Sequence, residues 1–221
     1  MKLERASGRT ALLAGATGLV GRELLALLLA DPRCRAVHVL GRRAPPVSHP
    51  KLHCHTVDFA RMGPLPAADD VFVALGTTIK VAGSQQAFRA VDFDAVLAVA
   101  KAARAAGASR LGVVSAMGAS ARSSVFYNRV KGEMEDAVSR LGYNSVVLAR
   151  PSLIEGDRRA LQQPGRAGEG MALKAMRALA PLIPANYRVI GADQVARALL
   201  AAVQDGKPGT RVMLSGEMLA A

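Results

Sequence analysis

Along this chain, short β-branched or apolar runs alternate with longer alanine- and leucine-rich segments of helical period, the pattern of a parallel sheet covered by helices. Residues 10–14 predict a buried first strand, 19–30 a helix stopped by Asp31-Pro32, and 36–40 a second strand ended by Gly41. A proline-rich loop (Pro45-Pro46, Pro50) leads to a third strand near 52–57, and the fourth covers 71–75. A long helix from about 88 to 106 closes at Gly107 before a fifth strand over 110–115. Residues 127–141 predict a helix ended by Gly142, and 145–149 a sixth strand terminated by Arg150-Pro151. The chain is then polar and glycine-rich to Gly170; a helix near 171–180, a loop with Pro181 and Pro184, a helix near 193–203 and a last strand near 210–214 follow. There is no linker and no internal repeat. The expected fold is α/β: a Rossmann-type doubly wound parallel sheet in three layers, one domain over 1–221, with a small substrate-side portion at about 151–221.

Composition adds limits. With 221 residues, 51% of them hydrophobic, one large core is affordable. No apolar run reaches the roughly 18 residues of a membrane span: 11–30 comes nearest and is interrupted by Gly15, Thr17, Gly18, Gly21, Arg22 and Glu23. The start, Met1-Lys2-Leu3-Glu4-Arg5, leads into Ser7-Gly8-Arg9 rather than a long apolar stretch, so no signal peptide is readable and a cytoplasmic location is expected. The net charge of +12 favours anionic partners. Its arginines are scattered singly or in pairs, with little aromatic interleaving, so specific nucleic-acid binding is not expected. Cys34 and Cys54 form neither a disulfide framework nor a CxxC pair. In His53-Cys54-His55 strand alternation puts the histidines on one side and the thiol on the other, and no second cluster completes four ligands, so no metal site is expected.

Two motifs carry candidate chemistry. Gly15-Ala16-Thr17-Gly18-Leu19-Val20-Gly21 lies directly after the first strand and opens a helix. Glycines there permit a tight turn and a close backbone approach to a pyrophosphate, and the helix start supplies free amide donors, so the turn predicts a bound dinucleotide. At the end of the second strand, where a carboxylate would hold the 2′-hydroxyl of NAD, stand Gly41-Arg42-Arg43; the arginines suit a 2′-phosphate and favour NADP, unless both simply face water. Asp58, after the third strand, is a candidate for the adenine amino group or an ordinary turn aspartate.

The second motif is Tyr127-Asn128-Arg129-Val130-Lys131, a phenol and an ammonium one helical turn apart on one face. A cation beside a phenol suits a general acid that protonates a carbonyl oxygen as hydride arrives, and Ser115, at the end of the fifth strand, offers a hydroxyl to the same oxygen.

On these residues, with Leu75-Gly76-Thr77-Thr78, Val91-Asp92, Ser115-Ala116-Met117-Gly118, Gly132-Glu133 and Arg150-Pro151-Ser152, the chain resembles an atypical short-chain dehydrogenase/reductase. Within that superfamily it is most similar to the Tat-interacting-protein oxidoreductases and their bacterial relatives, over most of residues 10–157. The resemblance implies NADPH lying from the glycine turn past Leu75, Gly76 and Thr77. It implies Tyr127 as catalytic acid, Lys131 as holder of the nicotinamide ribose that also acidifies Tyr127, Ser115 as orienter of substrate, and Arg150-Pro151-Ser152 as the segment flanking the nicotinamide. Asp157-Arg158-Arg159 and Asn186-Tyr187-Arg188 are candidate substrate contacts or surface loops. The expected function is NADPH-dependent reduction of a small carbonyl compound. The alternative is an NADPH-sensing protein whose loops at 76–80 and 150–170 order for a protein partner.

Overall fold

The computed structural model describes residues 8–155 and 183–220. Its main sheet has seven strands, all parallel, in the order β3-β2-β1-β4-β5-β6-β9. They are β1 (Arg9–Ala14), β2 (Cys34–Gly41), β3 (Leu52–Thr56), β4 (Asp70–Val73), β5 (Arg110–Val114), β6 (Ser145–Arg150) and β9 (Gly209–Leu214). The Rossmann-type fold expected from the alternating pattern is therefore the fold observed. Strand order reverses between β1 and β4, and at such a switch point a crevice opens beyond the carboxyl ends of the strands.

Helices cover both faces. Helix α1 (Leu19–Ala30) packs with α6 (Ala192–Asp205) over one face, burying Leu24, Leu28, Val195 and Leu199 against Leu13, Val39 and Val147. On the other face α4 (Val96–Ala105) and α5 (Phe126–Ser139) bury Val96, Val99, Met134 and Val138 against Leu12, Val71, Val73 and Leu111. Both sides of the central strands are dry, which explains why these strands read as continuous apolar runs rather than alternating ones.

The helix expected over 88–106 starts earlier and is not uniform. Ser84 caps α3 (Gln85–Arg89), its Oγ accepting the Ala87 N–H at 3.0 Å. A π-helical turn (Ala90–Ala95) follows and runs straight into α4. Four pieces had no signature in the pattern: α2 (Ile79–Ala82), the parallel pair β7 (Ile154–Glu155) and β8 (Ile190–Gly191), a 3₁₀ turn (Ala185–Tyr187), and α7 (Ser215–Leu219). All are shorter than two helical turns or three strand residues, too short for a period to register. The helix expected near 171–180 lies outside the described residues.

At the amino ends of the strands, ion pairs stitch the sheet. Asp70, at the start of β4, accepts from Arg9 Nε at 2.6 Å and stands 2.9 Å from Arg110 Nε, so one buried carboxylate joins β1, β4 and β5. Asp31, closing α1, accepts from Arg33 at 3.0 Å and from Gln204 of α6 at 2.7 Å. The candidate residues stand at the opposite ends of the strands.

Candidate functional site

The glycine turn is built by contact, not only by flexibility. Gly15 leaves β1 at φ 93°, and a Cβ there would stand 2.5 Å from the Ala74 carbonyl oxygen. Gly21, one turn into α1, faces Gly15 so closely that its Cβ would meet that carbonyl oxygen at 1.9 Å. The Gly18 N–H donates to the same oxygen at 3.0 Å. Gly18 is the N-cap of α1, which has no side-chain cap and no acidic residue in its first turn. The amides of its opening turn are thus left without a side-chain acceptor, as an anion site requires. Ala16 and Val20 are buried beneath, and Thr17 is exposed at the crest. Leu19 is the first residue of the helix.

A cleft runs from this turn to the end of β2, with Gly15, Ala16 and Thr17 on one side and Arg42, Arg43 and Phe59 among the residues of the other. Arg42 and Arg43 are exposed and neither is ion-paired with a described residue. Asp58 is exposed as well; its Oδ1 accepts the Ala60 N–H at 3.0 Å, a local turn contact, and Phe59 rather than Asp58 lines the cleft. A narrow glycine cradle with unclaimed amides, two unpaired guanidinium groups and an apolar wall is a donor set that fits a phosphorylated dinucleotide.

Beyond β4 the chain passes through Leu75, Gly76 and Thr77 over a buried ion pair. Lys131 Nζ of α5 lies 2.8 Å from Asp92 Oδ1, both side chains being 4% exposed or less. Asp92 sits in the π-helical turn, and its second oxygen accepts the Thr77 N–H at 2.9 Å. Gly76 lies over both groups, since a Cβ on it would stand 3.5 Å from Asp92 Oδ1 and 4.0 Å from Lys131 Nζ. Asp92 entered the sequence reading only as part of a matching string; its partnership with Lys131 joins two helices and is invisible to local spacing.

Ser115 follows β5, its N–H donating to the Ala149 carbonyl at 2.7 Å. Its Oγ is buried and has no hydrogen-bond partner among the described residues. The loop after it folds onto α5: Ser120 N–H donates to the Asn128 carbonyl at 3.0 Å, and Gly132 admits the Ser120–Ala121 backbone so closely that a Cβ would collide with it at 2.1 Å. Tyr127 is half-buried in the first turn of α5, with the fully buried ring of Phe88 tilted against it at 5.3 Å between centroids.

Arg150 ends β6 and is occupied by protein: its Nε donates to both oxygens of Glu135 at 3.0 and 3.1 Å, and Nη2 reaches the same carboxylate. Ser152 N–H donates to Ser215 Oγ of α7 at 2.8 Å, fixing the Arg150-Pro151-Ser152 segment. Tyr187 is exposed, Asn186 Oδ1 accepts the Gly216 N–H at 3.1 Å, and Arg188 Nε donates to the Ile183 carbonyl at 2.8 Å. Asp157, Arg158 and Arg159 lie outside the described residues. His53 and His55 share a face, as alternation predicts, and β2 adds His38, whose Nδ1 is 2.9 Å from His55 Nε2 and whose ring stacks on His53 at 5.0 Å. Among the described residues no group of three or more His, Cys, Asp or Glu is arranged to hold a metal ion.

No protein-family model matches the chain. Among curated proteins it is similar to "Protein fmp52, mitochondrial" of Emericella nidulans, 36% identical over 159 residues covering 66% of this chain and 67% of that protein. It is also similar to "Protein fmp52-2, mitochondrial" of Aspergillus terreus, 32% identical over 203 residues covering 87% of each. Among solved structures, a short chain dehydrogenase family protein of Francisella tularensis superposes with a TM-score of 0.67 at 13% identity, over 96% of this chain and 99% of that one. The ADP-L-glycero-D-manno-heptose-6-epimerase of Helicobacter pylori gives 0.67 at 18% identity over 97% and 81%. MoeE5, solved with UDP-glucose and NAD, gives 0.65 at 18% over 96% and 80%. These structures share the fold. The expected cytoplasmic location is corrected by the relatives, which are named as mitochondrial proteins. That expectation rested on an unreadable leader, and an unreadable leader is not an address. No helix among the described residues is long and apolar enough to cross a membrane.

Proposed function

The chain belongs to the FMP52 family, and from that premise and the geometry of its site we propose that it is an NADPH-dependent reductase of a small carbonyl compound. The observation that carries this reading is the Ser115 hydroxyl, buried without a partner among the described residues at the carboxyl end of a central parallel strand, where open α/β sheets receive ligands. A buried hydroxyl without a partner is costly unless a ligand completes it. Beside the Ser115 loop, α5 presents Tyr127 and Lys131 on one face.

In this reading the Gly15–Val20 turn holds the pyrophosphate, Arg42 and Arg43 the 2′-phosphate, and Leu75, Gly76 and Thr77 the middle of the dinucleotide. Bound NADPH would supply the hydride. The Ser115 hydroxyl donates a hydrogen bond to the carbonyl oxygen and fixes its position; the Tyr127 phenol donates the proton that converts that oxygen to a hydroxyl. Lys131 holds its ammonium next to the nicotinamide ribose, as the resemblance to the Tat-interacting-protein oxidoreductases implies. Arg150 acts through Glu135, securing the end of β6 beside the nicotinamide rather than touching it.

The test is a fluorescence titration with NADPH and NADH, repeated on Arg42→Ala/Arg43→Ala, followed by NADPH oxidation on a carbonyl panel. Selective loss of NADPH affinity in the double variant and loss of turnover in Tyr127→Phe with affinity retained are expected. Equal turnover in Tyr127→Phe removes that residue from the chemistry. A second reading, a nucleotide-sensing protein without turnover, draws on Ile79 and Val81, exposed apolar side chains on α2 directly after the Gly76-Thr77 loop. It predicts tight NADPH binding, no carbonyl-dependent oxidation, and protection of 76–80 from proteolysis only when nucleotide and partner are both present.

A further inference from the structure

We propose that Asp92 is the positioning residue of this site, holding Lys131 and the Gly76-Thr77 loop as one unit, so that fixing the ammonium and seating a nucleotide against the loop become a single event. The inference rests on the NADPH-binding reading above for its functional consequence; the coupling itself stands on three observations.

A lysine ammonium is rarely buried, and when buried it needs a counter-charge. The Lys131 side chain is 4% exposed, and Asp92 is the one carboxylate paired with it among the described residues. Asp92 is wholly buried and uses both oxygens, one for Lys131 and the other for the Thr77 amide at 2.9 Å. Asp92 sits where the helix is locally widened. The π-helical turn Ala90–Ala95 interrupts an otherwise α-helical stretch, a geometry that is rare and concentrates at functional sites. Gly76 lies directly over the pair, a Cβ on it standing 3.5 Å from Asp92 Oδ1 and 4.0 Å from Lys131 Nζ. A purely structural ion pair would require neither the backbone amide of a candidate cofactor loop nor an expanded helical turn.

The test is a double-mutant cycle on the full chain with two readouts: NADPH affinity, and hydrogen exchange at the Thr77 amide in the nucleotide-free protein. Asp92→Asn preserves size and an acceptor for Thr77 but removes the charge; Lys131→Met preserves length and removes its partner. If Asp92 acts through Lys131, each single variant weakens NADPH binding by about tenfold or more, and the double variant is no weaker than the worse single. Where turnover is measurable, kcat rather than KM for the carbonyl carries the loss. Lys131→Met also speeds exchange at Thr77 by about tenfold or more, because the freed carboxylate no longer has a fixed place. Additive affinity losses, or an Asp92→Asn variant that binds NADPH like the parent, overturn the proposal. If the parent binds no NADPH, the reductase reading fails while the exchange readout still decides: Thr77 exchange indifferent to Lys131→Met overturns the coupling, and accelerated exchange supports it.

Discussion

Gly21 and Gly15 are in contact across the opening of α1: a Cβ on Gly21 would lie 1.9 Å from the Gly15 carbonyl oxygen. Gly18 is less confined, with 3.4 Å to the same oxygen. Gly21→Ala must therefore push α1 off the turn, and a loss of about 2 kcal/mol or more is expected from such overpacking. Urea unfolding and NADPH titration check it. Gly18→Ala should retain most of the stability, and equal losses in the two variants would show that this contact is not what shapes the turn.

Glu135 is 4% exposed in its side chain and held by Arg150. Arg150→Ala leaves that carboxylate buried and unpaired, for which a loss of about 3 kcal/mol is expected. Replacing both residues by apolar ones of similar volume should recover most of it. A drop in NADPH affinity in Arg150→Ala with unchanged stability would instead give Arg150 a direct ligand contact.

Burial pushes the His38 imidazole down from 6.5 to about 4, and the neighbouring His55 and His53 add to the effect. Between those values the unfolded chain takes up a proton that the folded protein refuses, so stability present at neutral pH is lost as pH falls through this window and levels off below it. Melting midpoints measured at pH 7 and pH 5 should fall less in His38→Gln than in the parent. An identical fall would show that His38 does not set acid sensitivity.

The Tyr143 hydroxyl, buried under α4, donates to the Ala100 carbonyl at 2.7 Å, and burial raises its ionisation far above the ordinary phenol range. Tyr143 should contribute no phenolate absorbance on alkaline titration until the fold opens. Tyr143→Phe should cost about 1 kcal/mol through loss of this hydrogen bond.

The β1–turn–α1 unit was legible because a glycine spacing fell between two clear periods, and the succession of strands and helices along the chain followed from the same alternation. The details that tune the site were not, for a common physical reason. Nothing in Ala90-Val91-Asp92-Phe93-Asp94-Ala95 marks a π-helical turn, since no glycine or proline breaks the pattern; what accompanies it is a lysine on another helix. His38 joins His53 and His55 only through the register of β2 on β3, where His38 stands opposite His53. Arg150 stands in the sequence as part of the segment flanking the nicotinamide, and its pairing with Glu135 of α5 shows only in three dimensions. Helix α2 was missed because four residues cannot show a period, although Thr78, whose hydroxyl accepts the Val81 N–H at 3.2 Å, is the kind of capping residue that could have revealed it.

Asp70, clamped between Arg9 and Arg110 at the start of three strands, gives the molecule a division of labour. That rim fastens three strands through one buried carboxylate, while the opposite rim carries Gly15, Gly76 and Ser115, the residues proposed above to receive a ligand. Because the length of every central strand lies between them, a change in the exposed loops at the carboxyl ends need not disturb the Asp70 cluster. An engineer wanting a sturdier version with unaltered selectivity should work at the Asp70 end.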